Sequence, residues 1–502
     1  MNAWAPIVSA AREESQALAA QWRQPRAQQW GFLKTLLAAH AQSSFGREHG
    51  FAEVGHVDDF RARVPIRRDD AWRPWFERVA AGEPRVLTRD APVAFEATGG
   101  TAGAKIIPYT ADSLRAFRAG VLPWLHYLLQ RSPRITAGVA YVAASPVTRE
   151  PRTLPCGLPL GLPSDAAYLG DDLLPALAQV ITVPPRAQDL TRWRVGTLAH
   201  LARRRDLTLI SVWSPTFLLE LLESLAPLAE SVLAELHGDA EAARRLERAL
   251  SSADGALTPL WPELQVVSLW MDGASQPYAA RVADWLPGVH LDAKGVLATE
   301  SVITTRLDER RVPALRSAFF EFVDRGGAPH LAHELAEGHV YRVVITTPGG
   351  LYRYDLGDEF FCESVRDGIP DLRFIGRAGV VSDLVGEKLT DSFVAQALSV
   401  LPAGASLVPR SAPNPHYELW VDSPAASGDL AASVEARLAA NPQYAYARQL
   451  GQLRALEIVC SPGFAQYRAR RLAAQGGRLG DAKSCALILD SNLLPSPGGC
   501  PE

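Results

Sequence analysis

The segment Phe95-Glu96-Ala97-Thr98-Gly99-Gly100-Thr101-Ala102-Gly103-Ala104-Lys105 contains the residue types that most directly suggest chemistry. Glycines let the backbone come close to a ligand, and successive N–H groups with threonine hydroxyls can point at it. These are the requirements of a phosphate cradle, which Thr98, Gly99, Gly100, Thr101, Ala102 and Gly103 meet. The P-loop of nucleotide hydrolases ends in Gly-Lys followed by Ser or Thr, whereas Lys105 follows Ala104 and precedes Ile106. That class of site is disfavoured. A plain glycine turn between strands fits the same residues, so the loop alone leaves both readings open. His330, His333 and His339 have irregular spacing and read as polar surface rather than a metal trio. No Gly-x-Ser-x-Gly frames a serine nucleophile.

A cradle needs a scaffold. At 502 residues the chain exceeds the roughly 250–300 at which single cores stop growing, so one large domain plus a smaller one is expected. Apolar residues make up 47% and charged residues 21%, with 51 Lys and Arg against 55 Asp and Glu. That balance argues against disorder and against a nucleic-acid surface. The Arg468, Arg470, Arg471 and Arg478 run reads as a solvated helix face. Cys156, Cys362, Cys460, Cys485 and Cys500 make no Cys-x-x-Cys pair, which speaks against zinc and against a dense disulfide framework. Arg12, Glu13 and Glu14 follow no basic leader and apolar run, and the most apolar internal stretch, around Ile135 to Val147, is too short to span a bilayer. A cytoplasmic protein with no membrane partner is expected.

Hydrophobic spacing at Leu18, Trp22, Trp30, Leu33, Leu36 and Leu37 predicts one or two amphipathic helices over residues 5–45. Strands are predicted at Pro92 to Phe95, Val139 to Ala143, Leu207 to Val212 and Leu264 to Leu269. Helices are predicted at Asp112 to Leu129, Pro215 to Leu225 and Glu241 to Leu250. Their alternation implies an α/β layer architecture. Val340 to Thr346 reads as a strand turned back by Pro348-Gly349-Gly350 into Leu351-Tyr352-Arg353-Tyr354, a hairpin ending at Gly357-Asp358. The run containing Ser382, Asp383 and Gly386, followed by a helix near Thr390, sets a boundary between a large domain, 1–382, and a small α+β module, 383–502. In that module strands are expected at Tyr417 to Val421, Ala455 to Val459 and Cys485 to Leu489, with a helix at Leu430 to Ala440.

Several segments, in order along the chain, resemble the Gretchen Hagen family of acyl acid-amido synthetases, within the adenylate-forming superfamily. Ser44-Phe45-Gly46-Arg47-Glu48-His49-Gly50-Phe51, Asp59-Phe60, Arg63-Val64-Pro65, Gly82-Glu83 and Val86-Leu87-Thr88 precede the glycine loop. Ile107-Pro108-Tyr109-Thr110, Tyr352-Arg353-Tyr354-Asp355-Leu356-Gly357-Asp358, Arg373-Phe374-Ile375-Gly376-Arg377, Tyr444-Ala445-Tyr446-Ala447-Arg448 and Leu456-Glu457-Ile458-Val459 follow it. The resemblance implies a large multi-layer α/β N-terminal domain and a small, mobile α+β C-terminal domain. It implies a two-step reaction in which a carboxylic acid and ATP give acyl-AMP and pyrophosphate, and an amine, usually of an amino acid, then displaces AMP. An acid–CoA ligase would share the first step, and a ligand-binding protein that has lost catalysis would share only the fold.

The same resemblance suggests roles. The glycine loop, with Lys105 as the nearest fixed positive charge, would stabilise charge developing on the phosphates. Thr299 and Glu300 resemble the family's Ser/Thr-Glu motif, with Glu300 a Mg²⁺ ligand and Thr299 beside the phosphates. Plant members carry an aromatic residue where Val296-Leu297 stands. Asp358 resembles the ribose-binding aspartate and Arg377 the arginine that precedes the hinge. A lysine brought in by the C-terminal domain stabilises adenylation in the superfamily, and Lys483 and Lys388 are the candidates, although the Pro-Arg that follows the family's Lys-Thr is absent after Lys483. Trp124, Tyr127, Trp213, Phe217 and Trp270 are expected to wall the acyl pocket.

Overall fold

The computed structural model describes residues 2–98, 105–143, 152–162, 165–185, 187, 189–213, 215–272, 275–382, 384–385, 387, 389–401, 404–411, 414–422, 428–449, 453–474, 485–490 and 493–495. Five parallel strands form the sheet at the centre of the α/β half. Across the sheet they run Ile181–Thr182, Val139–Ala143, Leu207–Val212, Val266–Leu269 and His290–Ala293. Leu207–Val212 and Val266–Leu269 are buried along their whole length, as strands covered on both faces must be. Alternation divides their side chains between two cores. Leu209 and Val266 pack under the helices Ala5–Trp22 and Ala111–Arg131. Ile210 and Val267 pack under Leu190–Arg203, Pro215–Ser224 and Gln276–Trp285. Ala111–Arg131 starts where the sequence provides a cap, with the Thr110 hydroxyl accepting the Ser113 N–H and the Ser113 hydroxyl accepting the Thr110 N–H.

A second sheet is antiparallel, in the order Pro329–His330, Phe319–Val323, Val340–Thr346, Tyr354–Arg366, Ile369–Arg377. It shares a core with the N-terminal helices, centred on Phe45, which stacks on Trp72 and Tyr352 at ring distances of 5.3 and 4.8 Å. A third sheet, Ser406–Arg410, His416–Val421 and Glu457–Cys460, builds a separate core with Asp391–Leu398 and Gly428–Leu438, drawing its buried residues from Leu389 to Leu487. Among the described residues no helix is long and apolar enough to cross a membrane.

Three expectations are corrected. The return strand of the hairpin begins at Tyr354, not Leu351, and runs on to Arg366. Leu351 and Tyr352 turn into the core instead, and Arg353 takes a positive φ of 49°, outside the extended region of regular strand backbone. Cys485 to Leu489 makes only an isolated parallel bridge at Leu487, with the Leu407 N–H on the Ala486 carbonyl and the Ile488 N–H on the Leu407 carbonyl, while the Leu487 N–H on the other side goes to the Asp391 carboxylate. Arg468 is buried, its guanidinium held by Ser406 Oγ and the Cys485 carbonyl, so it does not belong to a solvated face.

Candidate active site

Ala94–Thr98 and Lys105–Tyr109 pair antiparallel with Thr98 opposite Lys105. Gly99, Gly100, Thr101, Ala102 and Gly103, together with Lys388 and Lys483, lie outside the described residues. Thr98 and Lys105 are therefore the ends of a hairpin whose connection is the glycine segment. At its far end Tyr109 donates its hydroxyl to the Thr299 carbonyl. Burial pushes the Tyr109 phenol well above its ordinary range, with Tyr168 next in influence, so it stays a neutral donor.

Thr299 and Glu300 occupy the loop between His290–Ala293 and Thr304–Leu307, which a bridge from Leu297 to Val302 pinches closed. Glu300 accepts at Oε1 from the Tyr354 hydroxyl, 3.1 Å away. Tyr109 and Tyr354 thus bring the hairpin, the Thr299-Glu300 loop and the second sheet to one place. No sequence motif assigns either tyrosine this role.

Asp358 lies four residues further along the strand that Tyr354 opens, not at a turn, and is fully buried. Its placement comes from a bulge. Val344 pairs with Asp355 but Arg342 pairs with Glu359, so extra residues of the Asp358 strand stand opposite Val343. Gly357 takes up the kink at φ 72°, and a bulge of this kind re-aims the neighbouring side chain. Asp355 pins it, accepting from the Gly357 N–H at 2.9 Å and from Arg68 at 2.8 Å, with Arg342 as a third partner. Arg377 ends the neighbouring strand in register with Asp358.

Of the five aromatics expected to wall the acyl pocket, Trp124 and Trp213 line one cavity of about 110 Å³ between Ala111–Arg131 and the parallel sheet. Its lining includes Trp4, Ile7, Phe117, Leu177, Val180 and Tyr168, and also Ser211 and Lys294. Tyr127 faces Glu309 and Arg306, Phe217 is core beneath Trp193, and Trp270 packs edge-on against Phe374. Lys294 was missed because a single lysine after a strand carries no motif. His330 pairs with Asp324 at 2.8 Å, and among the described residues no three His, Cys, Asp or Glu side chains gather as a metal cluster.

The GH3 family N-terminal domain matches residues 14–238 and the GH3 family central domain residues 312–377. The chain is 24% identical over 393 residues to the putative indole-3-acetic acid-amido synthetase GH3.10 of Oryza sativa subsp. japonica, covering 70% of this chain and 78% of that protein. Jasmonoyl--L-amino acid synthetase JAR6 of Nicotiana attenuata is 25% identical over 158 residues, 28% of this chain and 27% of that one. Among solved structures, the GH3.15 acyl acid amido synthetase superposes with a TM-score of 0.84 at 16% identity, covering 95% of this chain and 94% of that chain. A 2-hydroxyisobutyryl-CoA ligase in the postadenylation state superposes with a TM-score of 0.59 at 13% identity, over 92% and 89%. These superpositions establish the fold of adenylate-forming enzymes.

Proposed function

Because the chain belongs to the GH3 family, we propose that it is an ATP-dependent acyl acid-amido synthetase. A carboxylate oxygen of the acid attacks the α-phosphorus of ATP, the bond to the β-phosphate oxygen breaks and pyrophosphate leaves. The nitrogen of an amine, such as that of an amino acid, then attacks the acyl carbon, AMP leaves and the nitrogen gives up its proton. The observation that carries this reading is the meeting of the glycine hairpin, Glu300 and the strand of Asp358 through the Tyr109 and Tyr354 hydroxyls.

In this reading Thr98 to Gly103 and Lys105 receive the phosphates, Asp358 takes the ribose hydroxyls and Arg377 contacts ribose or phosphate. Thr299 sits beside the phosphates, and Lys483 or Lys388 arrives from the C-terminal module to steady the charge of the first step. Glu300 fits Mg²⁺, because Tyr354 occupies one carboxylate oxygen and the other remains for a cation that takes most of its ligands from phosphate and water. Bound there, Mg²⁺ would supply positive charge to the phosphates. The division into 1–382 and 383–502, a cytoplasmic setting and closure of the small module over the site belong to the same proposal; the separate core from Leu389 to Leu487 supports the division.

The amine as acceptor rests on the amido synthetases to which the chain is similar. Incubation with ATP, an acid panel and either the amino acids or CoA, with products identified by mass, tests it. An amide with equimolar AMP is expected. A CoA thioester in place of any amide would reassign the second step.

A further inference from the structure

The cavity between Ala111–Arg131 and the parallel sheet is apolar except at one edge. Lys294 follows the strand His290–Ala293 at the carboxyl edge of the parallel sheet, where ligands of α/β sheets bind. It is the only charged side chain among the described residues lining the cavity, and it is itself buried, at 8% exposure. Its Nζ donates to Ser211 Oγ at 2.8 Å, the Val212 carbonyl at 2.7 Å and the Ser268 carbonyl at 3.1 Å. The indoles of Trp124 and Trp213 stand 5.5 and 5.8 Å from it. Trp124 is fixed in turn by its Nε1–H donating to Asp292 Oδ2 at 2.8 Å, an oxygen that also accepts from Ser268 Oγ.

A carboxylate entering walls of this kind loses its hydration, and that is costly unless a buried cation and hydrogen-bond donors replace the water. Lys294 brings the charge. The Ser211 oxygen accepts from Lys294, which leaves its own proton to donate. Orientation follows from the neighbours. Tyr168, another wall residue, packs edge-on against Tyr109 at 5.8 Å, and the Tyr109 hydroxyl holds the Thr299 carbonyl. Trp4, Ile7, Leu177 and Val180, which also line the cavity, belong to the apolar core shared by the helices Ala5–Trp22 and Ala111–Arg131 and the sheet.

We propose that the Ser211 hydroxyl donates to the carboxylate of the acyl substrate beside the positive charge of Lys294, whose three protons stay on Ser211 and the two carbonyls, and that the acid is a small one, a short branched chain or at most a single ring. The size limit comes from the volume: an apolar cavity of about 150 Å³ holds one benzene, and at about 110 Å³ this one admits a short branched chain more readily than a ring. Two-ring and long-chain acids require Trp4 or Leu177 to move. The proposal rests on the adenylating reading of the site but has its own readout. Lys294 is here a substrate-binding group, in contrast to a strap that merely ties three strand ends together.

Binding of benzoate and isovalerate, each against its neutral amide, is to be measured by calorimetry on the full chain and on Lys294→Met and Ser211→Ala. In parallel, the KM for acid and for ATP is read in pyrophosphate exchange. The wild-type chain is expected to prefer at least one of the acids to its amide by tenfold or more. Lys294→Met should erase that preference and raise the KM for acid at least tenfold with the KM for ATP within twofold. Ser211→Ala, a milder change that carries the test if Lys294→Met does not fold, should lower the preference about threefold. No wild-type preference for either acid, a preference kept in both variants, or indole-3-acetate and decanoate used as well as the small acids, overturns the proposal. Carboxylate preference without any exchange would instead sink the adenylating reading and leave the carboxylate seat standing.

Discussion

Glu300 keeps one carboxylate oxygen against the Tyr354 hydroxyl, and that bond sets where its other oxygen points. A hydrogen bond to a charged group contributes about 1.5–3 kcal/mol, so Tyr354→Phe is expected to lower kcat/KM for ATP at least tenfold while the melting temperature moves by only a few degrees. ATP kinetics unchanged by the substitution would detach Glu300 from the nucleotide. Thr299, Glu300, Asp358 and Arg377 were readable as types in short segments. Tyr109 and Tyr354 were not readable as their supports, because 190 residues separate Tyr109 from Thr299 and 54 separate Tyr354 from Glu300. Lys294 was hidden for a related reason: its meaning comes from Ser211 and Trp124, which only the sheet and the helix above it bring close.

At the scale of elements, the positions of the strands rest on buried charge. Arg353 leaves the hairpin turn with a positive φ and forks onto Glu321 at 2.8 and 3.1 Å, and Arg61 reaches the same carboxylate at 2.8 Å. Removing one partner of a buried pair costs about 3–5 kcal/mol because the other charge stays buried. Glu321→Gln should therefore lower the urea midpoint by the equivalent of about 3 kcal/mol, and an unchanged midpoint would show that the arginines find water instead. His40, at the end of the helix Pro25–His40, accepts the Arg89 N–H at 2.9 Å and so ties that helix to the segment leading into the glycine hairpin. Burial, helped by the Arg89 charge, lowers its pKa from 6.5 to about 4. The unfolded chain takes up this proton first as pH falls, so the stabilisation is complete above pH 6.5 and is lost progressively down to pH 4, about 3 kcal/mol at most. Melting curves between pH 7.5 and 4.5 should show that loss in the wild type and a shallower slope in His40→Asn. An equal slope would move the titration to other groups. The strands Val139–Ala143, Leu207–Val212 and Val340–Thr346 match the sequence reading because continuous apolar or β-branched runs define them. The bulge at Gly357 was not foreseen, since its cause is register against Arg342 and Val344 and not local composition.

At the scale of the whole molecule, the adenylate-forming architecture was legible from the order of segments along the chain, and the superposition at TM-score 0.84 agrees with it. The packing of the small module against the second sheet was not. Gly376 lies so close to Ser392 that an added Cβ would stand 2.8 Å from the Ser392 Cα, and Ser392 Oγ donates to Glu359 at 3.0 Å. The strand that ends in Arg377 therefore carries the first helix of the C-terminal core. Acid-dependent exchange of labelled pyrophosphate into ATP reads the formation of acyl-AMP directly, with no second substrate present. The structure predicts exchange that requires a carboxylic acid, is supported by small single-ring or short branched acids, and falls at least tenfold in Tyr354→Phe. Absence of exchange across the whole acid panel, from a chain that is folded and binds ATP, would contradict the account.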